Sequence, residues 1–260
     1  MPNPKSLAEQ NAVEMPLYTY MDAARYLRVP VWVVLSISPI SPYHPLEFYE
    51  RFWHDKRVRA HFEDDFGPVP PQDRAIRISF RSLARLFIVS AVLRQFSQRY
   101  PSATWHLEDL FRRFRRVHDI TRGIDEELKL LTDPEWVVSQ YGRDYDRFPS
   151  ADRLQLLKLI ALHQSRVESR AGVPVLLFPF SRDPAADAPR SVVIDPEIRF
   201  GRPTVKGVPT DILEERWRAG DSVADLAEDY SLSIEEIEES LRYEATPFHQ
   251  LCFPFPPFVW

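Results

Sequence analysis

Twenty-four prolines against seven glycines in 260 residues set the first limit on this chain. Proline fixes φ and removes a backbone donor, so it ends helices and keeps to strand edges, bulges and turns. The apolar pattern therefore has to be read in short pieces between breaks. In "LYTYMDAARYLRVP" (17–30), Thr19 with Asp22 three residues on has the form of a capping box, and Met21, Ala24 and Leu27 fall on one helical face. Arg28-Val29-Pro30 ends that helix, and "VPVWVVLSI" comes next as a second apolar segment. Helix, tight turn, helix is the layout of a helix-turn-helix, with a buried helical hairpin as the alternative. The second segment offers almost no polar side chains for base edges, so Arg25 and Arg28 are the expected phosphate contacts. Beyond Pro45, "LEFYERFWHDKRVRAHF" sets Phe48, Phe52 and Trp53 near helical spacing, and "EDDFGPVPPQD" (63–73) is a breaker.

The centre of the chain reads as helices. Ser79 is an expected N-cap for a largely buried helix over 78–100 (Phe80, Leu83, Leu86, Phe87, Val89, Ala91, Leu93) that Tyr100-Pro101 ends. Residues 105–120 are amphipathic, with Leu107, Leu110, Phe111, Phe114 and Val117 as the stripe. Arg112, Arg113, Arg115 and Arg116 crowd the rest and are expected to bind phosphate or a partner's acids. Residues 150–169 read as one helix with Leu154, Leu157, Ile160 and Leu162 as its apolar members. "VPVLLFPF" (173–180) reads as a strand, placed at a sheet edge by Pro174 and Pro179. Short strands are expected in 191–207, around turns at Asp195-Pro196 and Gly201-Arg202-Pro203.

Residues 210–244 divide into three helices. Ile212, Leu213 and Trp217 are expected inward in the first, which Gly220 closes. Ser222 caps the second (Val223, Leu226, Ala227, Tyr230), and Ser233 caps the third (Ile234, Ile237, Leu241). The spacing is that of a helix-turn-helix, yet the outer face of the third helix would carry Glu235, Glu236, Glu238 and Glu239, which repel phosphate. Charge divides along the chain in the same sense. Residues 74–122 hold 11 Arg and 3 acids, and residues 211–244 hold 3 Arg and 12 acids. The acidic unit reads as a protein-binding or dimer-forming module, and the basic one as the part that meets a polyanion.

The fold class expected is mainly α, multi-domain, with helix-turn-helix units and a few short strands. The parts are an N-terminal region 1–73, a helical middle 74–190, a C-terminal helical domain 191–246 and a Pro/Phe-rich segment 247–260. That last segment, "PFHQLCFPFPPFVW", has no charged side chain apart from a protonatable His249. Burying Phe248, Leu251, Phe253, Phe255, Phe258 and Trp260 would gain roughly 1.5–3 kcal/mol each. Ordering the backbone costs about 1–2 kcal/mol per residue, of similar total size. Its four prolines lower that cost, and aromatic–Pro–aromatic suits an apolar groove, on a partner or on the chain's own helices.

Catalytic constellations are not visible in the sequence. No G-x-x-x-x-G-K-[ST] or G-x-G-x-x-G occurs. His54 and His61 lie two helical turns apart, about 10 Å, too far for one metal without a third element. Ser, His249 and the single cysteine, Cys252, form no nucleophile–base set. The expectation is a protein that is not an enzyme and takes no cofactor and no metal. No stretch is long and apolar enough for a bilayer, "MPNPKSLAEQNAVEMP" carries no secretory signal, and one cysteine fits a reducing cytosol, so a cytoplasmic location is expected.

The segment "IDPEIRFGRPTVKG" together with "RWRAGDSVADLAEDYSLSIEEIEESLRYE" resembles the domain-of-unknown-function 433 family. The resemblance lies in Asp195, Pro196, Phe200, Gly201, Arg202, Pro203, Gly207, Ala219, Gly220, Leu226, Ala227, Asp229, Tyr230 and Leu241. The front half resembles longer members with a MerR-like helix-turn-helix, "YTYMDAARYLRVP", before a helical middle, "ISFRSLARLFIVSAVLR". That architecture is similar to VapB-type antitoxins. The resemblance implies an antitoxin that binds and neutralises a PIN-like ribonuclease toxin and represses its own operon by binding operator DNA. The assembly implied is a homodimer or a hetero-oligomer with the toxin. On this reading Phe253, Phe255, Phe258 and Trp260 cover the toxin and Arg202, in the turn "GRP", neutralises its carboxylates. A DNA-binding regulator without a toxin is the alternative, and a structural dimerisation protein a third.

Overall fold

The computed structural model describes residues 12–29, 34, 77–99, 124–141 and 150–245. Thr19 begins the first helix as its spacing predicts. Its side chain accepts from the Asp22 amide at 3.1 Å, and the Asp22 carboxylate accepts from the Thr19 amide at 2.9 Å. The box closes strand β1 (Pro16–Thr19) and opens helix α1 (Tyr20–Leu27), which Arg28 ends in the left-handed conformation. β1 pairs antiparallel with β2 (Arg77–Ser79), which runs into the long helix α2 (Phe80–Arg99). Ser79 accepts from the Ser82 amide at 3.3 Å, the expected cap.

Helices α3 (Ile124–Thr132) and α5 (Ser150–Gln164) pack on α2, and α4 (Pro134–Tyr141) packs on α3 and α5. Asp133 caps α4 by accepting from the Trp136 amide at 2.9 Å, with Pro134 in the first turn where its missing N–H costs nothing. Arg85 of α2 donates to the buried Glu127 of α3, and Gln164 of α5 donates to the Leu130 carbonyl at 2.9 Å. One apolar core runs from Val13 through α1, α2, α3, α4 and α5 to Ile194. The N-terminal region and the middle thus share a core in the structure, although the sequence reading separates them at 73.

A five-stranded antiparallel meander comes next: β3 (Val167–Arg170), β4 (Val173–Leu177), β5 (Val193–Ile194), β6 (Pro203–Val205) and β7 (Val208–Pro209). Two expectations are corrected here. The helix expected over 150–169 ends at Gln164, because Ala171 (φ 51°) and Gly172 (φ 80°) form a two-residue left-handed turn that folds 167–170 back as a strand. The stripe of α5 is correspondingly shifted: Leu156 and Ile160 are buried and Leu154 is exposed. Strand β4 is interior, between β3 and β5, not an edge. Its Pro174 sits opposite Ser169, beside a register shift at Glu168/Ser169, where a missing donor is tolerated.

Helices α6 (Thr210–Arg218), α7 (Val223–Tyr230) and α8 (Ile234–Ala245) pack on one another around a second, smaller core of Val192, Val205, Leu213, Leu226, Leu232, Ile237 and Tyr243. Ser222 and Asp225 form a capping box. Ser233 accepts from the Glu236 amide and the Glu236 carboxylate accepts from the Ser233 amide. Trp217 and Ile234, expected inward, are 47% and 55% exposed. The architecture is mainly α with two small sheets, and among the described residues no helix is long and apolar enough to cross a membrane.

Candidate functional site

The turn between β5 and β6 has the least ordinary backbone of the described residues. Arg199 (φ 51°), Phe200 (φ 58°) and Gly201 (φ 73°) lie in succession in the left-handed region. For a non-glycine side chain that conformation costs about 1–2 kcal/mol, and it persists only where surroundings impose it. Those surroundings are visible. A Cβ built on Gly201 would fall 1.9 Å from the Tyr18 hydroxyl, so β1 leaves room only for glycine. Arg202 next in the chain is salt-bridged to Asp211 at the start of α6, and Arg25 of α1 approaches the same carboxylate at 3.6 Å. The result is that Phe200 stands 83% exposed, with Ile198 beside it at 41%.

Behind the turn, the N-terminal unit and the C-terminal helices interlock. The Tyr243 hydroxyl of α8 donates to the Tyr26 carbonyl at 3.0 Å. The Arg28 guanidinium lies 4.2 Å from the Tyr243 ring centre and 4.0 Å from Glu244. Glu244 Oε1 in turn lies 2.6 Å from Thr210 Oγ1, which is 3.4 Å from the Pro203 carbonyl. Burial pushes the Tyr243 phenol up, with the Arg28 charge opposing. Burial likewise raises Tyr26, to about 12, against the pull of Arg25. Burial opposes the charge of Arg25, but Tyr26, Glu244 and Asp211 outweigh it and hold the guanidinium above its ordinary value. Tyr18 is 1% exposed, and its hydroxyl finds no hydrogen-bond partner among the described residues.

Arg28, expected from the sequence to contact phosphate, is 3% exposed and faces Tyr243 and Glu244. Arg25 keeps a third of its side chain exposed, at the rim, and Arg202 is 43% exposed but already paired with Asp211. The expected acidic face of α8 is also smaller than its sequence implies. Glu239 is fully buried, accepting from Ser181, Arg182 and Arg242. Burial alone would raise its pKa, but the Arg182 and Ser181 hydrogen bonds and the Arg242 charge hold it below the usual carboxylate value. Glu236 pairs with Lys206 at 2.9 Å. Glu235 and Glu238 are the members of the set that remain exposed. Arg112, Arg113, Arg115, Arg116, Phe253, Phe255, Phe258, Trp260, His54 and His61 lie outside the described residues. Among the described residues no group of three or more His, Cys, Asp or Glu is placed to hold a metal.

The turn and the three helices coincide with a known sequence signature. Residues 192–243 match the family described as protein of unknown function DUF433. No curated protein matches the chain. The X-ray crystal structure of Rv2018 from Mycobacterium tuberculosis is similar over 88% of this chain and 98% of that one, at 18% identity and a TM-score of 0.48. Sequence reasoning singled out Arg202 and the glycine after Phe200 but missed Tyr18, Tyr26, Tyr243 and Glu244. Their signal was faint. Tyr243 extends the buried face of α8 from Ile237 and Ser240 at three-residue steps, but with a polar member in the stripe.

Proposed function

We propose that this protein is a non-catalytic binding protein, antitoxin-like, that captures and neutralises a PIN-like ribonuclease. The observation that carries the reading is Phe200, an aromatic side chain 83% exposed on a left-handed turn anchored by Gly201 and by the Arg202–Asp211 pair. A large apolar side chain held outside its own core, at a conformational cost, is the form of an interface anchor, and aromatic and arginine residues dominate such anchors. The turn lies inside the segment matched by the DUF433 family. Arg25 at its rim and Arg202 within it offer guanidinium faces to the carboxylates such a nuclease uses to hold Mg²⁺. Repression of the operon through the basic residues 112–116 is a second, weaker activity of the same reading, with helices α7 and α8 as a helix-turn-helix that keeps off DNA.

Co-expression with a PIN-like nuclease, sought first in the neighbouring genes, tests this. The tagged chain should bring the nuclease down and relieve its toxicity, and Phe200→Ala should lose both while remaining folded. If the wild-type chain captures no nuclease yet binds operator DNA with a steep salt dependence, it is a regulator without a toxin and the proposal fails.

A further inference from the structure

The β5–β6 turn carries more than an aromatic ring. Four consecutive residues stand out from the fold: Glu197, Ile198 (41% exposed), Arg199 and Phe200 (83%). Arg202 and Arg25 are drawn to Asp211, and the Asp195 carboxylate accepts from the Glu197 amide at 2.8 Å. The Glu197 carboxylate and the Arg199 guanidinium are the charges left over. Among the described residues neither has a hydrogen-bond or ion-pair partner. The turn thus presents one negative group, one positive group and one ring, in that order along the chain.

We propose that this turn is the contact between two copies of the chain, related by a two-fold axis. A two-fold brings residue i of one copy to residue j of the other and j to i, so a patch docks on itself only if it is self-complementary. Opposite charges two positions apart meet that condition: Glu197 faces Arg199 of the second copy, and Arg199 faces its Glu197. The attraction is counted twice, while the two Phe200 rings cover one another. A polyanion would gain one pairing and one repulsion on the same turn, whereas a second copy answers both charges by symmetry. The backbone is already set for docking, since Arg199 (φ 51°) and Phe200 (φ 58°) are held left-handed by the Tyr18–Gly201 contact and the Arg202–Asp211 pair. Little ordering is then left for association to bear. Four residues a side make a small interface, so the dimer is weak, reversible and weakened by salt. The inference needs no nuclease. Where the nuclease reading also holds, the nuclease takes the place of the second copy on Phe200.

Charge reversal of the full chain tests this by sedimentation velocity at low salt, at concentrations around 100 μM where a contact this small is populated. The unaltered chain should dimerise. Glu197→Arg sets two positive groups against two, and Arg199→Glu two negative against two. Each variant alone should lose association by about tenfold or more. Mixed, they should dimerise again, as one all-basic and one all-acidic turn, and the double reversal Glu197→Arg with Arg199→Glu should dimerise by itself. All these positions are exposed, and circular dichroism checks that each variant is folded. An unaltered chain that stays monomeric overturns the proposal. So does a dimer that survives both single reversals, which would use another face, and so does a mixture that fails to restore association. The nuclease reading fails separately. Dimers without nuclease capture leave this contact standing, and capture by a chain that is monomeric when free leaves the nuclease reading standing.

Discussion

Gly201→Ala should be among the most damaging small substitutions in the C-terminal part, and its cost can be assembled in two pieces. The backbone piece comes from φ 73°: alanine in the left-handed region costs about 1–2 kcal/mol. The packing piece comes from Tyr18, whose hydroxyl, ring Cζ and Cε1 would lie 1.9, 2.7 and 2.9 Å from the new methyl. Tyr18 is 1% exposed and packs edge-on against Tyr26 at 6.1 Å between centroids, so it has little room to retreat. Forcing such overlap costs typically about 1–3 kcal/mol. The sum is about 2–5 kcal/mol, a fall of roughly 4–20 °C in Tm at about 2–4 °C per kcal/mol. Gly207→Ala isolates the first piece, because φ is 85° there and nothing lies within 4 Å of the added methyl. It should cost only the backbone share of about 1–2 kcal/mol. Tyr18→Phe removes the nearest clashing atom and an unpartnered buried hydroxyl. Alone it should leave stability unchanged or raise it, and in combination it should recover part of the Gly201→Ala loss. Denaturant unfolding of the four variants measures all of this. Equal losses for Gly201→Ala and Gly207→Ala would refute the claim that β1 is pressed against the turn.

Three further outcomes rest on the same geometry. Glu239→Gln should cost about 2–3 kcal/mol at pH 7, below the value for a fully buried pair because Arg182 and Arg242 are each about half exposed and regain water. Since the folded state holds the Glu239 pKa below its ordinary value, that stability is complete above the unfolded value of about 4.3 and is lost as pH falls through the folded one. The gap between wild type and variant should therefore be flat from pH 8 to about 5 and narrow below it. Arg28→Ala should lower stability by about 1–3 kcal/mol, because it takes the guanidinium from the Tyr243 ring and from Glu244, which keeps the Thr210 hydroxyl, and Tyr243→Phe by about 1 kcal/mol, both read in the same unfolding assay. Phe200→Ala should shift stability by less than about 0.5 kcal/mol, as an exposed position does, so any loss of partner capture is a loss of contact.

Local signals in the sequence were read well and long-range ones were not. Thr19 with Asp22, Ser79, Ser222, Ser233 and Gly220 mark element ends through groups three residues apart or less, and the structure uses each in that role. Strand β3 was hidden because Val167–Arg170 continues a helical apolar pattern. Only the left-handed Ala171-Gly172 pair, decided by pairing with β4, turns it back. Glu239 reads as a surface acid by periodicity, since what makes it a core residue is Ser181 and Arg182, 58 and 57 positions away. The junction was legible only in part for the same reason. Arg202 announced itself in a tight turn, but its root, Tyr18 against Gly201, joins residues from opposite ends of the chain.

The charges at this junction fix what Arg28 touches within the fold. For α1 to lay Arg28 on a phosphate, the guanidinium would have to leave the Tyr243 ring and Glu244, which is only 7% exposed. The Tyr243 hydroxyl would also lose the Tyr26 carbonyl as the helices part. Giving up these contacts costs about 1–3 kcal/mol. A single phosphate contact returns less than that at physiological salt, because exposed charges are screened within about 8 Å. Arg28 is therefore committed to holding the N-terminal unit against the C-terminal helices. At the turn Phe200 stands outward beside the exposed Glu197 and Arg199 side chains, on a backbone that Tyr18 and Asp211 hold in place from behind.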